Sequence, residues 1–319
     1  MDYKKIYFRA KQFGGFRLAK AYIGLGLGML VVRNVFMLIC GIKSRDDAYS
    51  AISRAAYEKL LQKYQDFLHE RKAYYDAIEM NHSRSNRVWT SWLQGLDQAP
   101  VLVKVCVDSM NKYLTGSEVI LLSLEDFNKY VELPTDIVDK FRQGYIPPAS
   151  FSDLLRLQLL IKYGGTWMDA TVLCTGEDEK EILDCDLFVF QTIDEEVDLH
   201  GISTWFMTAC KNNELLMVLF DVLIQYWRDY DCTVDYYIIH DFFCSIAELY
   251  PEKIVKMPRK DRLIPLKLMQ RIGDEYDAEW MKELTKKSCF HKLNYRLDSS
   301  VLNNSNNFYH AILEEGINN

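Results

Sequence analysis

The chain has no Gly-x-Gly-x-x-Gly turn and no Gly-x-x-x-x-Gly-Lys-Ser/Thr loop, so no motif marks a dinucleotide fold or an ATP phosphate cradle. Its eight cysteines, at positions 40, 106, 174, 185, 210, 232, 244 and 289, form no Cys-x-x-Cys pair and no zinc-like spacing. They are expected to be reduced and mostly buried, as in a cytosolic protein. No Ser-His-Asp or Cys-His arrangement stands out, and no second carboxylate is positioned as a paired-carboxylate hydrolase requires. A secretory leader is not expected either, because the first apolar stretch starts late and no small-x-small cleavage site follows it cleanly.

A simple membrane-spanning helix is disfavoured as well. Residues 22–42 are nearly all apolar but are interrupted by Arg33-Asn34. An arginine at the centre of a spanning helix costs about 2.5–3.5 kcal/mol. Three glycines, Gly24, Gly26 and Gly28, weaken the first half further. What is present is a charge asymmetry. Residues 1–45 hold nine Lys/Arg against Asp2 alone, a net +8, so the rest of this chain of net charge -7 carries -15. A basic, apolar head on an acidic body predicts a segment lying on an anionic membrane surface, each basic residue contributing roughly 1 kcal/mol near the lipid. A helical hairpin packed on the main domain is the alternative.

Residues 46–85 read as a helical spacer or packing element. Ala51, Ile52, Ala55, Leu60, Leu61, Tyr64, Phe67 and Leu68 recur at helical spacing, and the polar run 81–86 ends the pattern. From residue 86 strands and helices alternate: a strand over 88–93, a helix over 100–114, a strand over 118–122, short helical pieces at 127–130 and 137–141, and a turn at 145–148. Beyond these come a strand at 186–191, an acidic loop at 193–200 and an amphipathic helix at 215–230. The pattern predicts an α/β domain over 86–302 with an N-terminal helical extension and a polar, frayed tail over 303–319. In open sheets ligands bind beyond the carboxyl ends of the strands, which draws attention to Trp92, Gln94 and Gly95 after the first strand.

Residues 150–176, SFSDLLRLQLLIKYGGTWMDATVLCTG, are the most informative stretch. Ser150 with Asp153 reads as a helix N-cap, and Leu154, Leu155, Leu157, Leu160 and Ile161 as an apolar helical face. Gly164-Gly165 stops the helix and leads to a strand over 166–173, with Trp167, Asp169, Thr171 and Leu173 on one face. Asp153 and Arg156, one helical turn apart, are able to reach the same place. An Asp/Arg pair and an Asp-x-Thr joined by a glycine turn suit a charged, oxygen-rich ligand.

The pattern SDxxRxxxLxxYGGxWxDxT, about two dozen residues, resembles the donor-sugar motif of glycosyltransferase family 32 and its capsular-polysaccharide-synthesis relatives. It also resembles the clostridial glucosylating toxins, where the same unit ends in Asp-x-Asp. WxxWxQGxDxxP at 89–100 resembles the family's first strand and turn, which contacts the nucleotide. Ser203-Thr204-Trp205-Phe206 is similar to a segment lining the donor site, and Ser288-x-x-His291-Lys292-Leu293 to one near the end of the catalytic domain. The resemblance implies a GT-A-like nucleotide-sugar-binding domain and transfer, with retention of configuration, to a surface glycan such as capsule or lipopolysaccharide.

Carried onto these positions, the donor-binding residues are Trp92, Gln94, Gly95, Asp153, Arg156, Gly164, Gly165, Trp205 and Lys292. Asp169 is the catalytic carboxylate, and Asp241, inside the apolar run 236–244, is an acceptor-side candidate. The implied cofactor is Mn²⁺ or Mg²⁺, held by Asp169 and Thr171 with His291 as a possible third ligand. Thr171 stands where the family has its second Asp, which puts two-carboxylate coordination in doubt; Thr171 with water, His291, or cationic residues in part replacement of the metal are the alternatives. Without the motif, Asp153/Arg156 would be a surface ion pair of little value. The expected partners are a nucleotide-sugar donor, a glycan or lipid-linked glycan acceptor and the inner face of the plasma membrane, to which a cytoplasmic protein would attach as a peripheral or monotopic one, with no nucleic acid. Two other functions remain open: a protein-modifying glycosyltransferase, and a degenerate binding or scaffold subunit.

Overall fold

The computed structural model describes residues 15–176, 179–192 and 201–317. The acidic loop expected at 193–200 lies outside the described residues, as do Lys4, Lys5, Arg9 and Lys11 of the basic head. In chain order the principal elements are α1 (Phe16–Gly24), α2 (Gly28–Ile39), α3 (Arg45–Asp76), β1 (Arg87–Ser91), α4 (Val101–Tyr113), β2 (Glu118–Leu122), α5 (Thr135–Arg142), α6 (Pro148–Tyr163), β3 (Gly165–Met168), β4 (Val172–Cys174), β5 (Leu187–Gln191), β6 (Ile202–Ala209), α7 (Glu214–Asp229), α8 (Ile238–Leu249), β7 (Phe290–Lys292) and α9 (Phe308–Ile317). The chain divides into two compact units, each assembled from three separate segments.

The first unit takes residues up to Glu79 together with 132–157 and 214–251 and is helical. Its longest helix, α3, starts at Ser44, whose hydroxyl accepts the Asp47 backbone N–H at 3.1 Å. That satisfies one of the amide groups every helix start leaves open. Ala56, Leu60, Tyr64, Leu68 and Tyr75 form the buried stripe of α3. Polar groups fix the packing of α3 on α7: Tyr64 donates to Asp229 at 2.8 Å, and Tyr75 and the Arg71 Nε donate to Asp221 at 2.7 and 2.6 Å. Residues 45–76 are thus one continuous helix that packs into its unit. In α7, Leu216, Leu219, Leu223, Tyr226 and Trp227 are buried, as the sequence periodicity predicts, and Phe220 of the same expected face is half-buried.

The apolar run 22–42 is not one helix. Gly26, with φ +74°, turns the chain between α1 and α2. Ala21, Leu25, Leu27 and Asn34 face inward, and the Tyr22 hydroxyl donates to the Val234 carbonyl at 3.0 Å. Phe16, Ile23, Met29, Val32, Phe36, Ile39 and Ile42 remain exposed. Among the described residues no helix is long and apolar enough to cross a membrane.

The second unit, residues 80–131, 158–213 and from 252 onward, carries the sheet. Five strands run in the order β2-β1-β3-β6-β5, with β1 parallel to β2 and β3, and β6 antiparallel to β3 and β5. The crossover β1–α4–β2 moves one way along the sheet and β3 lands on the other side of β1. This reversal places the topological switch point at the carboxyl ends of β1 and β3. A separate two-stranded sheet pairs β4 with β7. The α/β class with an N-terminal helical extension is therefore as the sequence predicts.

Two local expectations are corrected. Helix α6 begins at Pro148 and not at Ser150: the Phe151 amide donates to the Pro147 carbonyl at 2.9 Å, and proline is well suited to a first helical position. The tail does not fray from residue 303 onward. Phe308 and Ile312 of α9, one turn apart, are buried against Leu102, Val105, Leu268 and Leu284.

Candidate functional site

The glycine pair makes the sheet possible. Gly164 and Gly165 have φ of +72° and +101°, and a Cβ on Gly165 would lie 2.3 Å from the Arg87 carbonyl oxygen. No side chain fits there, so β3 lies directly against β1. The buried Trp89 indole closes the junction by donating to the Gly164 carbonyl at 2.9 Å. Both glycines sit at the amino end of β3, whereas Asp169 follows its carboxyl end. The structure gives them a strand-pairing role in place of the donor contact that the resemblance implies.

The strand expected over 166–173 is split. After Met168 the Asp169 amide donates across to the Trp205 carbonyl of β6 at 2.8 Å, and the Val172 amide turns back to the Asp169 carbonyl at 2.9 Å. Asp169-Ala170-Thr171 is therefore a turn between two sheets, at the switch point. The next strand, β4, pairs Val172 with Lys292 and Leu173 with His291. The Leu293 amide donates to the Thr171 carbonyl at 2.9 Å and fixes β7 beside the turn.

Four side chains converge there. The Lys292 ammonium donates to Asp169 Oδ2 at 2.7 Å and to Thr171 Oγ1 at 2.6 Å. Trp167, two residues before Asp169 on the same strand face, donates its indole N–H to Asp169 Oδ1 at 3.0 Å. Both partners of the ion pair remain partly open, with side chains 21% and 27% exposed, so a ligand has access.

Beside them, Trp92 and Leu96 from the loop after β1 pack in one cluster with Ala170 and Tyr295. The Trp92 ring meets Tyr295 edge-on at 5.2 Å. Trp205 stacks on Phe190 at 5.0 Å. The indole N–H groups of Trp92 and Trp205 are buried and have no hydrogen-bond partner among the described residues. Such groups cost about 1–3 kcal/mol when left unsatisfied and are natural contacts for an acceptor-rich ligand. Gln94 is exposed, and Gly95, with φ +84°, shapes the turn between them. Tyr295 and the orienting contact of Trp167 go beyond the sequence assignments. Trp167 was signalled by strand alternation; Tyr295 had only its position two residues past the His-Lys-Leu motif.

His291 does not join this group. Side chains alternate along a strand, so with Lys292 toward the turn, His291 points the other way. It is fully buried, its Nε2 lies 3.2 Å from Thr175 Oγ1, and its Nδ1 has no partner among the described residues. Burial pushes its pKa down to about 4. A ligand role for it toward a metal at Asp169 is not what this geometry provides.

A divalent cation bound hard at such a site calls for carboxylates and other oxygens. The residues present are one carboxylate, already receiving an indole N–H and an ammonium, and one hydroxyl bonded to the same ammonium. Among the described residues no group of three or more His, Cys, Asp or Glu is placed to hold a metal ion. The donor set does not fit the two-carboxylate cation site of the Asp-x-Asp pattern.

The other sequence candidates lie in the first unit. Asp153 and Arg156 are paired on α6 at 3.0 Å, and Arg156 is only 4% exposed. Arg156 is buried and Asp153 half-buried, so this is not a surface pair. A buried guanidinium is retained only when its charge is compensated. Asp241 stands in the first turn of α8 and is buried, and the Tyr237 ring packs edge-on against the neighbouring His240 at 5.3 Å.

Sheet, switch point and polar turn together define an open-sheet α/β protein. The chain matches the capsular polysaccharide synthesis protein family over residues 39–312 and belongs to that family. Solved structures similar to it include the PaToxG glycosyltransferase, at 12% identity over 82% of this chain and 96% of that one, with a TM-score of 0.40. A glycosyltransferase involved in the glycosylation of the major capsid of PBCV-1 is similar at 10% identity over 72% and 98%, with a TM-score of 0.38. The apo-form glycosyltransferase GlyE of Streptococcus pneumoniae TIGR4 is similar at 12% identity over 74% and 64%, with a TM-score of 0.34. No curated protein matches the chain.

Proposed function

We propose that this protein is a GT-A-like glycosyltransferase that moves a sugar from a nucleotide-diphosphate donor to a surface-glycan acceptor. The observation that carries the reading is the Asp169–Lys292–Thr171 cluster at the carboxyl end of β3, beside two buried indole N–H groups that have no partner among the described residues. A departing nucleoside diphosphate gains negative charge as the glycosidic bond breaks, and a fixed cation in a partly desolvated site lowers that cost. Trp92 and Trp205 would meet the base, ribose or phosphate oxygens with their free N–H groups.

The acceptor is read as lipid-linked. Exposed Phe16, Ile23, Met29, Val32, Phe36, Ile39 and Ile42 lie in a segment of net charge +8, a combination suited to an anionic lipid surface at the inner face of the membrane. Thr171 supports a second reading, a binding subunit that has lost turnover, because a neutral hydroxyl stands where the family pattern has a carboxylate.

Donor hydrolysis by the purified protein across UDP- and GDP-linked sugars tests the first reading. It expects turnover of one donor and loss of that turnover in Asp169→Asn. Binding of a donor without turnover over the whole panel would establish the second reading instead.

A further inference from the structure

We propose that the Lys292 ammonium takes the place of the divalent cation at this site, so that donor binding and sugar transfer proceed without a metal. The inference rests on the donor-site reading above and specifies how that site handles charge.

Charge balance comes first. An Asp-x-Asp turn presents two negative charges to a cation. Here Thr171 removes one, and Lys292 neutralises the other at 2.7 Å. A divalent ion at Asp169 would have to displace the ammonium or share its carboxylate with it, and two cations on one carboxylate repel strongly in a partly desolvated site. The geometry of the ammonium comes second. It has three N–H donors in a compact charge. Two are directed to Asp169 and Thr171, and the third remains for a phosphate oxygen. Thr171 is then a positioning residue: its hydroxyl accepts from Nζ at 2.6 Å, where a second carboxylate would recreate the demand for a metal. Third, the lysine is held in place by backbone pairing, since β7 is registered against β4 and the Leu293 amide bonds to the Thr171 carbonyl. The histidine of the same motif, which would be needed as an extra ligand, faces away and is buried.

In the transfer itself the sugar C1–O bond to the diphosphate breaks, with its electron pair going to the diphosphate oxygen. The acceptor hydroxyl oxygen forms the new bond to C1 and passes its proton to the departing diphosphate oxygen. Lys292 supplies charge and a hydrogen bond to the departing diphosphate and is not itself altered.

The test uses the full chain and calorimetric binding of UDP, GDP, UMP and GMP, in chelator and in Mn²⁺. The expected result is diphosphate affinity and donor turnover that agree within about twofold in the two conditions. Lys292→Met should weaken diphosphate binding about tenfold or more while leaving monophosphate binding within about twofold, and Lys292→Arg should restore most of the loss. Free Mn²⁺, followed by its paramagnetic resonance signal, should be unaffected by the wild-type protein and be sequestered by the double variant Thr171→Asp/Lys292→Met.

Binding and turnover that vanish in chelator and return with Mn²⁺ would overturn the inference while leaving the donor site intact. So would sequestration of Mn²⁺ by the wild-type protein that is lost in Asp169→Asn. If neither diphosphate binds in either condition, the donor-site reading fails, and this inference fails with it.

Discussion

Lys292 and Asp169 are 123 residues apart in sequence and 2.7 Å apart in space. Nothing local links them: the contact exists because β7 pairs with the strand that follows the Asp169 turn. Replacing Asp169 by Asn keeps the shape and removes the charge that holds the ammonium. Donor turnover is expected to fall about 100-fold or more, the scale of losing one preorganised electrostatic group. The melting temperature should move little, because the pair is partly exposed and such pairs contribute at most about 1 kcal/mol. A variant that keeps full turnover would remove Asp169 from the chemistry.

Trp205 and Trp92 each bury an indole N–H that has no partner among the described residues. Phenylalanine at either position keeps most of the ring and deletes the orphan donor. Stability should be unchanged or rise slightly, while KM for the donor rises about five- to tenfold, the value of one hydrogen bond. Steady-state kinetics beside urea unfolding separates the two effects. Loss of stability without a change in KM would show that these rings are core and nothing more.

Gly165 and Gly95 both have positive φ but differ in surroundings. A Cβ on Gly95 meets nothing within 4 Å, whereas one on Gly165 strikes the Arg87 carbonyl at 2.3 Å. Gly95→Ala should cost about 1–2 kcal/mol from backbone strain alone. Gly165→Ala adds the displacement of β1 from β3 and should cost roughly 3 kcal/mol or more. Equal losses in denaturant unfolding would contradict the strand-pairing role.

His291 ties stability to pH. In the unfolded chain it titrates near 6.5, while burial holds it at about 4 in the fold, so the folded protein refuses a proton that the unfolded chain takes up. Its contribution is intact above about pH 6.5 and is lost as pH falls toward 4, by about 3 kcal/mol in all. Between pH 7 and pH 5 the wild type should lose about 2 kcal/mol more than His291→Gln in urea unfolding. Parallel curves for the two proteins would place the histidine in contact with water.

Val32 and Phe36 are exposed on α2. The double variant Val32→Asp/Phe36→Asp should fold normally, since exposed substitutions change stability by about 0.5 kcal/mol or less. Recovery on phosphatidylglycerol vesicles should drop about tenfold or more, as two apolar side chains leave the lipid and two negative charges face it. Binding by the wild type should also weaken with salt and on neutral lipid. If neither salt nor the aspartates matter, the exposed apolar face does not meet an anionic membrane.

The regular elements were legible because their causes are local. The short apolar run Val119-Ile120-Leu121-Leu122 gives β2 over the expected residues, and the apolar spacing of 215–230 gives α7. The helix, glycine stop and following strand start were legible together, since Tyr163, Gly164-Gly165 and Thr166 are adjacent in sequence. The break in the expected 166–173 strand was not. Alternation continues through Val172, but the hydrogen-bond partner changes from Trp205 on one sheet to a strand beginning at Phe290 on another. For the same reason His291 and Lys292 looked like neighbours with a common task. They share a sequence motif, and their strand sends them to opposite faces. The apolar start of α9 follows the polar run 303–307, and only the surrounding core reveals that Phe308 and Ile312 are buried.

The weaving of the two units has a consequence for synthesis. Each is built from three chain segments, and the last of them begin at residues 214 and 252. Domains ordinarily fold one after another as they leave the ribosome. Here no stretch can finish early: the helical unit waits for α7 and α8, and the sheet-bearing unit for β7 and α9. The Lys292–Asp169 pair is completed only when Lys292, on β7, reaches Asp169. A nascent or prematurely terminated chain therefore carries the whole 150–176 stretch and still lacks the cation beside it.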